Sequence, residues 1–200
     1  MKAITESASR AFLAGLAVSV VVLVLWIAAV GVDVLGLLSF LLRWVHVGAA
    51  ILWVGMIWFV NFIQLAAIQE SDDAGRRALM TSVVPRVASS FRHASHLVLL
   101  TGVLLMMTSG YLFDSLVFST PVYVPASRTL LLWGGVIGGI VMWAFVHFII
   151  WPNLKIVLGQ APGNAATKDA ARQQVRIFAR LNLVLAVPVT FAMVAAPHLY

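Results

Sequence analysis

Residues 129–153 read TLLLWGGVIGGIVMWAFVHFIIWPN. The stretch carries no acidic residue, lysine or arginine, and its one titratable group is His147. At a rise of 1.5 Å per residue, roughly 20 apolar residues in a helix cover the ~30 Å hydrocarbon core of a bilayer. The stretch is therefore expected to span a membrane over about 129–151, closing on Trp151-Pro152. Three further stretches read the same way, at about 11–30, 42–68 and 93–113. A fifth, about 181–197, is shorter and holds Pro188. With 62% apolar and 10% charged residues, the 200-residue chain is expected to be an all-α integral membrane protein, a bundle of about five transmembrane helices forming a single membrane domain over residues 1–200.

The first stretch follows Lys2 and Arg10, as a signal peptide would, but its apolar run is longer than a usual signal core and is read as a true helix. Placing the N-terminus in the cytoplasm puts Lys2, Arg10, Arg76, Arg77, Arg86, Arg92, Lys155, Lys168, Arg172, Arg176 and Arg180 on the inner side, and only Arg43 and Arg128 on the outer. This bias follows the positive-inside rule and implies contact with anionic headgroups. The net charge of +6 is thereby explained by topology, and nucleic-acid binding is not expected. The chain has no cysteine, which excludes disulfides, thiolate metal ligands, iron–sulfur clusters and covalent c-type haem. Any metal or haem iron must rely mainly on histidine.

Between the spans, the outer segments are GVD near Asp33 and FDSLVFSTPVYVPAS, which Pro121 and Pro125 keep irregular. On the inner side, residues 69–90 predict a short interfacial helix with Ser71 as its candidate cap, and 158–166 a linker. A helical pattern starting at Thr167 leads into the last span.

All five histidines lie in or beside these spans, where ionisable groups are costly and are candidates for function. His147 and His96 sit at nearly matched depth on different helices, roughly 6 Å from the inner surface by helical rise. Opposed imidazoles at one depth are what bis-histidine ligation of b-type haem requires, so His96 and His147 are the candidate iron ligands. His93, three residues before His96, is the alternative. His46 and His198 lie toward the outer side, as ligands of a second haem, with a bound quinone or small substrate near His46 as the alternative. A stripe of His46, Ala50, Trp53, Ile57 and Gln64, with Asn61 close to it, should face protein or a cavity, and Trp53 could stack on a porphyrin. Gly134 with Gly138, and Gly135 with Gly139, are small-residue pairs expected to bring helices close. Arg172, Arg176 and Arg180 recur every fourth residue. Headgroup anchoring is their simple reading; Arg176 and Arg180 are also candidates for haem propionates.

Several motifs together resemble a known family. LLRWVHVGAAILWVG, HFIIWPNLKIV and ARLNLVLAVPVTFAMVAAPH are similar, in order, to segments of the membrane domain of bacterial membrane-bound urate dehydrogenase (PuuD type). The matching positions are Trp44, His46, Trp53, Gly55, Trp151, Pro152, Asn153, Arg180, Asn182, Pro188 and His198. The resemblance implies a bacterial inner-membrane protein linked to respiratory electron transfer, and the histidine pairs add the expectation of b-type haem, one or two. It would pass electrons from a small, urate-like donor to a separate cytochrome c or quinone, alone, as a homo-oligomer or in a larger membrane complex. The chain departs from the family in lacking the haem-attachment motif of a fused cytochrome c and in a much shorter segment after the first motif. A more distant similarity, to HemJ-type protoporphyrinogen oxidases, implies porphyrinogen oxidation. A third expectation is a cofactor-free accessory subunit of a respiratory membrane complex.

Overall fold

The structure is a computed structural model and describes residues 5–112 and 126–199. The described residues form helices and turns, with no strand among them. Among the described residues, five helices are long and apolar enough to cross a membrane: α1 (Ala8–Val30), α2 (Val34–Glu70), α3 (Asp73–Thr108), α4 (Arg128–Val157) and α5 (Ala165–Ala195). The chain is thus a multi-pass, all-helical protein.

Local chemistry sets the helix ends, and in places it moves them from their expected positions. α2 opens at Val34 rather than near residue 42, because the Asp33 carboxylate accepts from the Gly36 N–H at 2.7 Å and Gly31 turns the chain at φ +73°. The interfacial helix expected within 69–90 is instead the first part of α3, which runs unbroken into the third span. Its cap is Asp72, whose Oδ1 accepts from the Gly75 N–H at 2.8 Å. Ser71, the expected cap, donates its hydroxyl back to the Ala67 carbonyl at the end of α2. Asn164 caps α5 by accepting from both the amide and the hydroxyl of Thr167, and α5 then continues through Pro188. The outer segment with Pro121 and Pro125 lies largely outside the described residues.

The chain divides into two compact units, Met1–Phe40 and Leu41–Tyr200. The first holds α1, none of whose residues is buried, and the opening turns of α2. The second holds a core of Trp53 and Ile57 from α2, Ala94 from α3, Met142 from α4 and Ala186 from α5. Lipid is as apolar as leucine, so helices in a bilayer associate through close packing and hydrogen bonds rather than by hiding apolar surface from water. Accordingly the buried face of α5 is made of Ala171, Ala179, Asn182 and Ala186, small side chains recurring at helical spacing. α4 answers with glycines. A Cβ on Gly138 would collide with the Val189 side chain, and one on Gly135 would come within 3.0 Å of Met193. Gly134 and Gly139 have nothing within 4 Å. The close approach therefore runs through Gly135 and Gly138, one from each expected pair, since the line of contact falls between the two i,i+4 rows.

This asymmetry yields a paired test. Gly138→Ala should destabilise the protein by about 1–3 kcal/mol through overpacking, while Gly134→Ala should be neutral or slightly stabilising. Thermal unfolding in detergent compares them directly.

Candidate functional site

Three short π-helical turns interrupt the helices, at Phe59–Gln64 in α2, Leu79–Val83 in α3 and Phe145–Ile150 in α4. A π turn pairs each amide with the carbonyl five residues back, so it leaves a carbonyl over and rotates the side chains that follow. All three turns contribute to the wall of one cavity of about 920 Å³, through Val60, Asn61 and Gln64, through Met80, and through Val146 and Ile150. α5 completes the wall with Ala179 and Asn182.

Side chains bond backbone carbonyls beside these turns. The Asn61 amide donates to the Ile57 carbonyl at 2.9 Å and, across the interface, to the Ala179 carbonyl of α5 at 3.2 Å. In return the Arg180 guanidinium of α5 donates to the Asn61 carbonyl at 3.2 Å. α2 and α5 are thus tied reciprocally beside the cavity. The same device recurs in α4, where His147 Nδ1 donates to the Trp143 carbonyl at 2.9 Å.

Polar capacity remains on the cavity wall. Asn61, Gln64 and Asn182 are 4%, 7% and 1% exposed, yet Asn61 Oδ1, Gln64 Oε1 and both terminal atoms of Asn182 have no hydrogen-bond partner. Leaving such a group unsatisfied costs about 1–3 kcal/mol. Toward the charged end, Arg92 lies over the Trp151 ring at 4.4 Å, and its Nε is buried and without a partner. Arg76, Arg172, Arg176 and Asp169 also line the cavity. Asp169 is held by Arg172 at 2.5 Å.

The histidines fall into separate environments. His46 docks α2 on α3, its Nδ1 within 3.0 Å of the Val98 carbonyl and 3.2 Å of the Thr101 hydroxyl, in a recess that Gly102 leaves open. His198 is exposed and bonds the Val194 carbonyl one turn back; exposed His93 does the same with Ser89. His96 and His147 do meet, with ring centroids 4.0 Å apart, and Trp143 joins them by stacking on His147 and donating its indole N–H to His96 Nδ1 at 3.2 Å.

That cluster does not fit the expected haem. Two imidazoles sharing one iron from opposite faces stand with centroids about 6 Å apart, given metal–nitrogen bonds of about 2 Å. The 4.0 Å separation leaves no room for a porphyrin between the rings. His96 has also committed its Nδ1 lone pair to Trp143 and lies exposed on the outer face of the helices. His147 differs: with Nδ1 donating to a carbonyl, its buried Nε2 keeps a free lone pair.

Of the other expected residues, Trp53 packs edge-on against Phe91 at 6.4 Å, as a core side chain. Arg176 lines the cavity, whereas Arg180 is engaged by the α2 backbone. The stripe of α2 does face inward, with Ile57, Asn61 and Gln64 on the cavity wall. Sequence reasoning did not single out Arg92. The available signal was an arginine at the start of an apolar run, with Trp151 at a comparable depth on another helix.

His46→Leu should cost roughly 0.6–2 kcal/mol, the range for an interhelical hydrogen bond in a membrane, and should leave any ligand bound in the cavity undisturbed. Unfolding temperature and ligand content of the same preparation measure both effects.

Comparison of the chain with protein-family models, with curated proteins and with solved structures found no match, so the site is interpreted from its own chemistry.

Proposed function

We propose that this multi-pass protein binds a small, largely apolar molecule bearing a polar group in the cavity bordered by the three π turns, and that this cavity is its working site. One observation carries the reading. Three amide side chains, each more than nine-tenths buried on the cavity wall, hold four atoms with no hydrogen-bond partner. A ligand toward which these side chains turn, so that it supplies those bonds, recovers the desolvation cost they represent. The positive-inside pattern puts the arginine-bearing end of the cavity on the cytoplasmic side, so the molecule would enter from the inner leaflet or the cytoplasm. In the respiratory setting implied by the resemblance to urate dehydrogenase, that molecule would be an electron donor or a quinone, with a cytochrome c as separate partner.

Replacing an unpaired buried amide by an apolar side chain of similar size removes a penalty from the empty protein and a binding group from the occupied one. Asn182→Leu should therefore raise the unfolding temperature of ligand-free protein and abolish retention of the small molecule extracted from wild-type preparations by mass spectrometry. A variant that is less stable, with the same molecules retained as in the wild type, would overturn this reading.

A second reading, haem-linked electron transfer, is favoured by the lone pair on the buried, unpartnered Nε2 of His147. Metal-bound imidazoles commonly donate their other ring nitrogen to a carbonyl, as His147 does to Trp143. On this reading the purified protein gives the sharp α band of b-type haem on reduction, lost in His147→Ala but kept in His96→Ala. A featureless spectrum from cells supplied with haem would rule it out.

A further inference from the structure

We infer that the cavity's ligand is an anionic amphiphile: a carboxylate or phosphate head on a hydrocarbon body, with the head held by Arg92 and Arg176. The inference rests on the cavity being the working site and names the class of molecule it takes.

Charge at the cavity wall carries the first step. Four arginines, Arg76, Arg92, Arg172 and Arg176, face one carboxylate, Asp169, leaving three positive charges in excess (four minus one). Two of the four are already occupied. Arg172 holds Asp169, and Arg76 donates to the Ile68 and Ser71 carbonyls and stands 3.9 Å from Asp73. Arg92 and Arg176 have no anionic partner among the described residues.

Arg92 is the more telling of the two. Its Cζ stands 4.4 Å over the Trp151 ring, which holds the guanidinium against an aromatic face, and its Nε is shut off from solvent without an acceptor. A fixed, partly desolvated fork of N–H donors matches the two oxygens of a carboxylate or phosphate better than any neutral group. Headgroup anchoring alone would account for an arginine reaching outward, but not for one stacked on a ring with a buried donor.

The remaining wall excludes a bare anion. Ile57, Val60, Val87, Phe91 and Ile150 present an apolar surface, and a cavity of about 920 Å³ far exceeds a free phosphate. An alkyl or acyl body fills that space, while an uncharged polar group next to the head, such as a glycerol hydroxyl, reaches the free amide atoms. A lipid of the inner leaflet and a soluble amphiphilic acid share this chemistry.

The test uses the full chain in a non-ionic detergent, following tryptophan fluorescence as four probes are titrated: oleoyl lysophosphatidic acid, oleate, monooleoylglycerol and inorganic phosphate. The two acids should bind, the monoacylglycerol at least tenfold more weakly, and inorganic phosphate not at all. Arg92→Gln and Arg176→Gln should each weaken the acids by about tenfold while leaving the monoacylglycerol unchanged. Arg92→Lys, which keeps the charge but loses the planar fork, guards against a folding defect and should fall between. Repeating the oleate titration in nanodiscs separates the sources. Competition that appears only with phosphatidic acid in the bilayer identifies a lipid headgroup, and binding undiminished by it identifies a soluble acid. Equal affinity for acid and monoacylglycerol, indifferent to both arginine variants, would overturn the anionic assignment and leave the cavity as a neutral-ligand site. Inorganic phosphate binding as tightly as the lysophospholipid would overturn the amphiphile. Failure of every probe, with Asn182→Leu indistinguishable from wild type, would instead remove the underlying reading of the cavity.

Discussion

A backbone carbonyl in lipid has no water to turn to, and much of this architecture follows from how that demand is met. Each π turn breaks the regular pairing, and in α2 and α4 a side chain within the turn donates to the carbonyl four residues back, Asn61 to Ile57 and His147 to Trp143. Residues of all three turns border the cavity, together with residues on the regular face of α5. Asn61 joins the two demands most clearly, since one side chain bonds its own helix, ties α2 to α5 and keeps one oxygen free.

Packing and site share the same division of labour among residue types. Where α5 meets α4, Val189 and Met193 pack onto the bare glycines Gly138 and Gly135, and nothing polar is left behind. Where α5 passes the cavity, Asn182 occupies the same buried stripe, one helical step from Ala179 on one side and from Ala186 on the other. An asparagine in an alanine stripe is tolerated only if its amide finds bonds, and the protein itself supplies none. The place where small-residue packing gives way to an amide is thus also where the protein leaves hydrogen-bonding capacity unspent.

The spans were legible because length and hydropathy alone set them, and the inward stripe of α2 was legible because Gln64 and Asn61 are too polar to face lipid. The glycines of α4 were visible as a close-approach signal, but the row that makes contact depends on where α5 lies, which spacing within one helix does not encode. Helix starts at Val34 and Asp73 moved because Asp33 and Asp72 cap them, a choice between adjacent polar residues that periodicity does not make. The π turns were not legible: each is an offset of one residue in an otherwise ordinary apolar run. With them went the cavity and the role of Arg92. His96 and His147 illustrate the opposite limit, in that matched depth brought them together, whereas the 4.0 Å between their rings is a property of side-chain packing.

α1 differs from the other four helices in having no buried residue at all. A side chain that is not buried is constrained by its hydropathy more than by its shape. Along Ala8–Val30, exchange among valine, leucine, isoleucine and phenylalanine should thus be nearly silent, so this segment would accumulate substitutions quickly while retaining its composition. The same exchanges at Ile57, Met142 or Ala186 meet fixed neighbours. Two rates of sequence divergence are therefore built into one chain, the faster of them along a helix that keeps its composition while its side chains change.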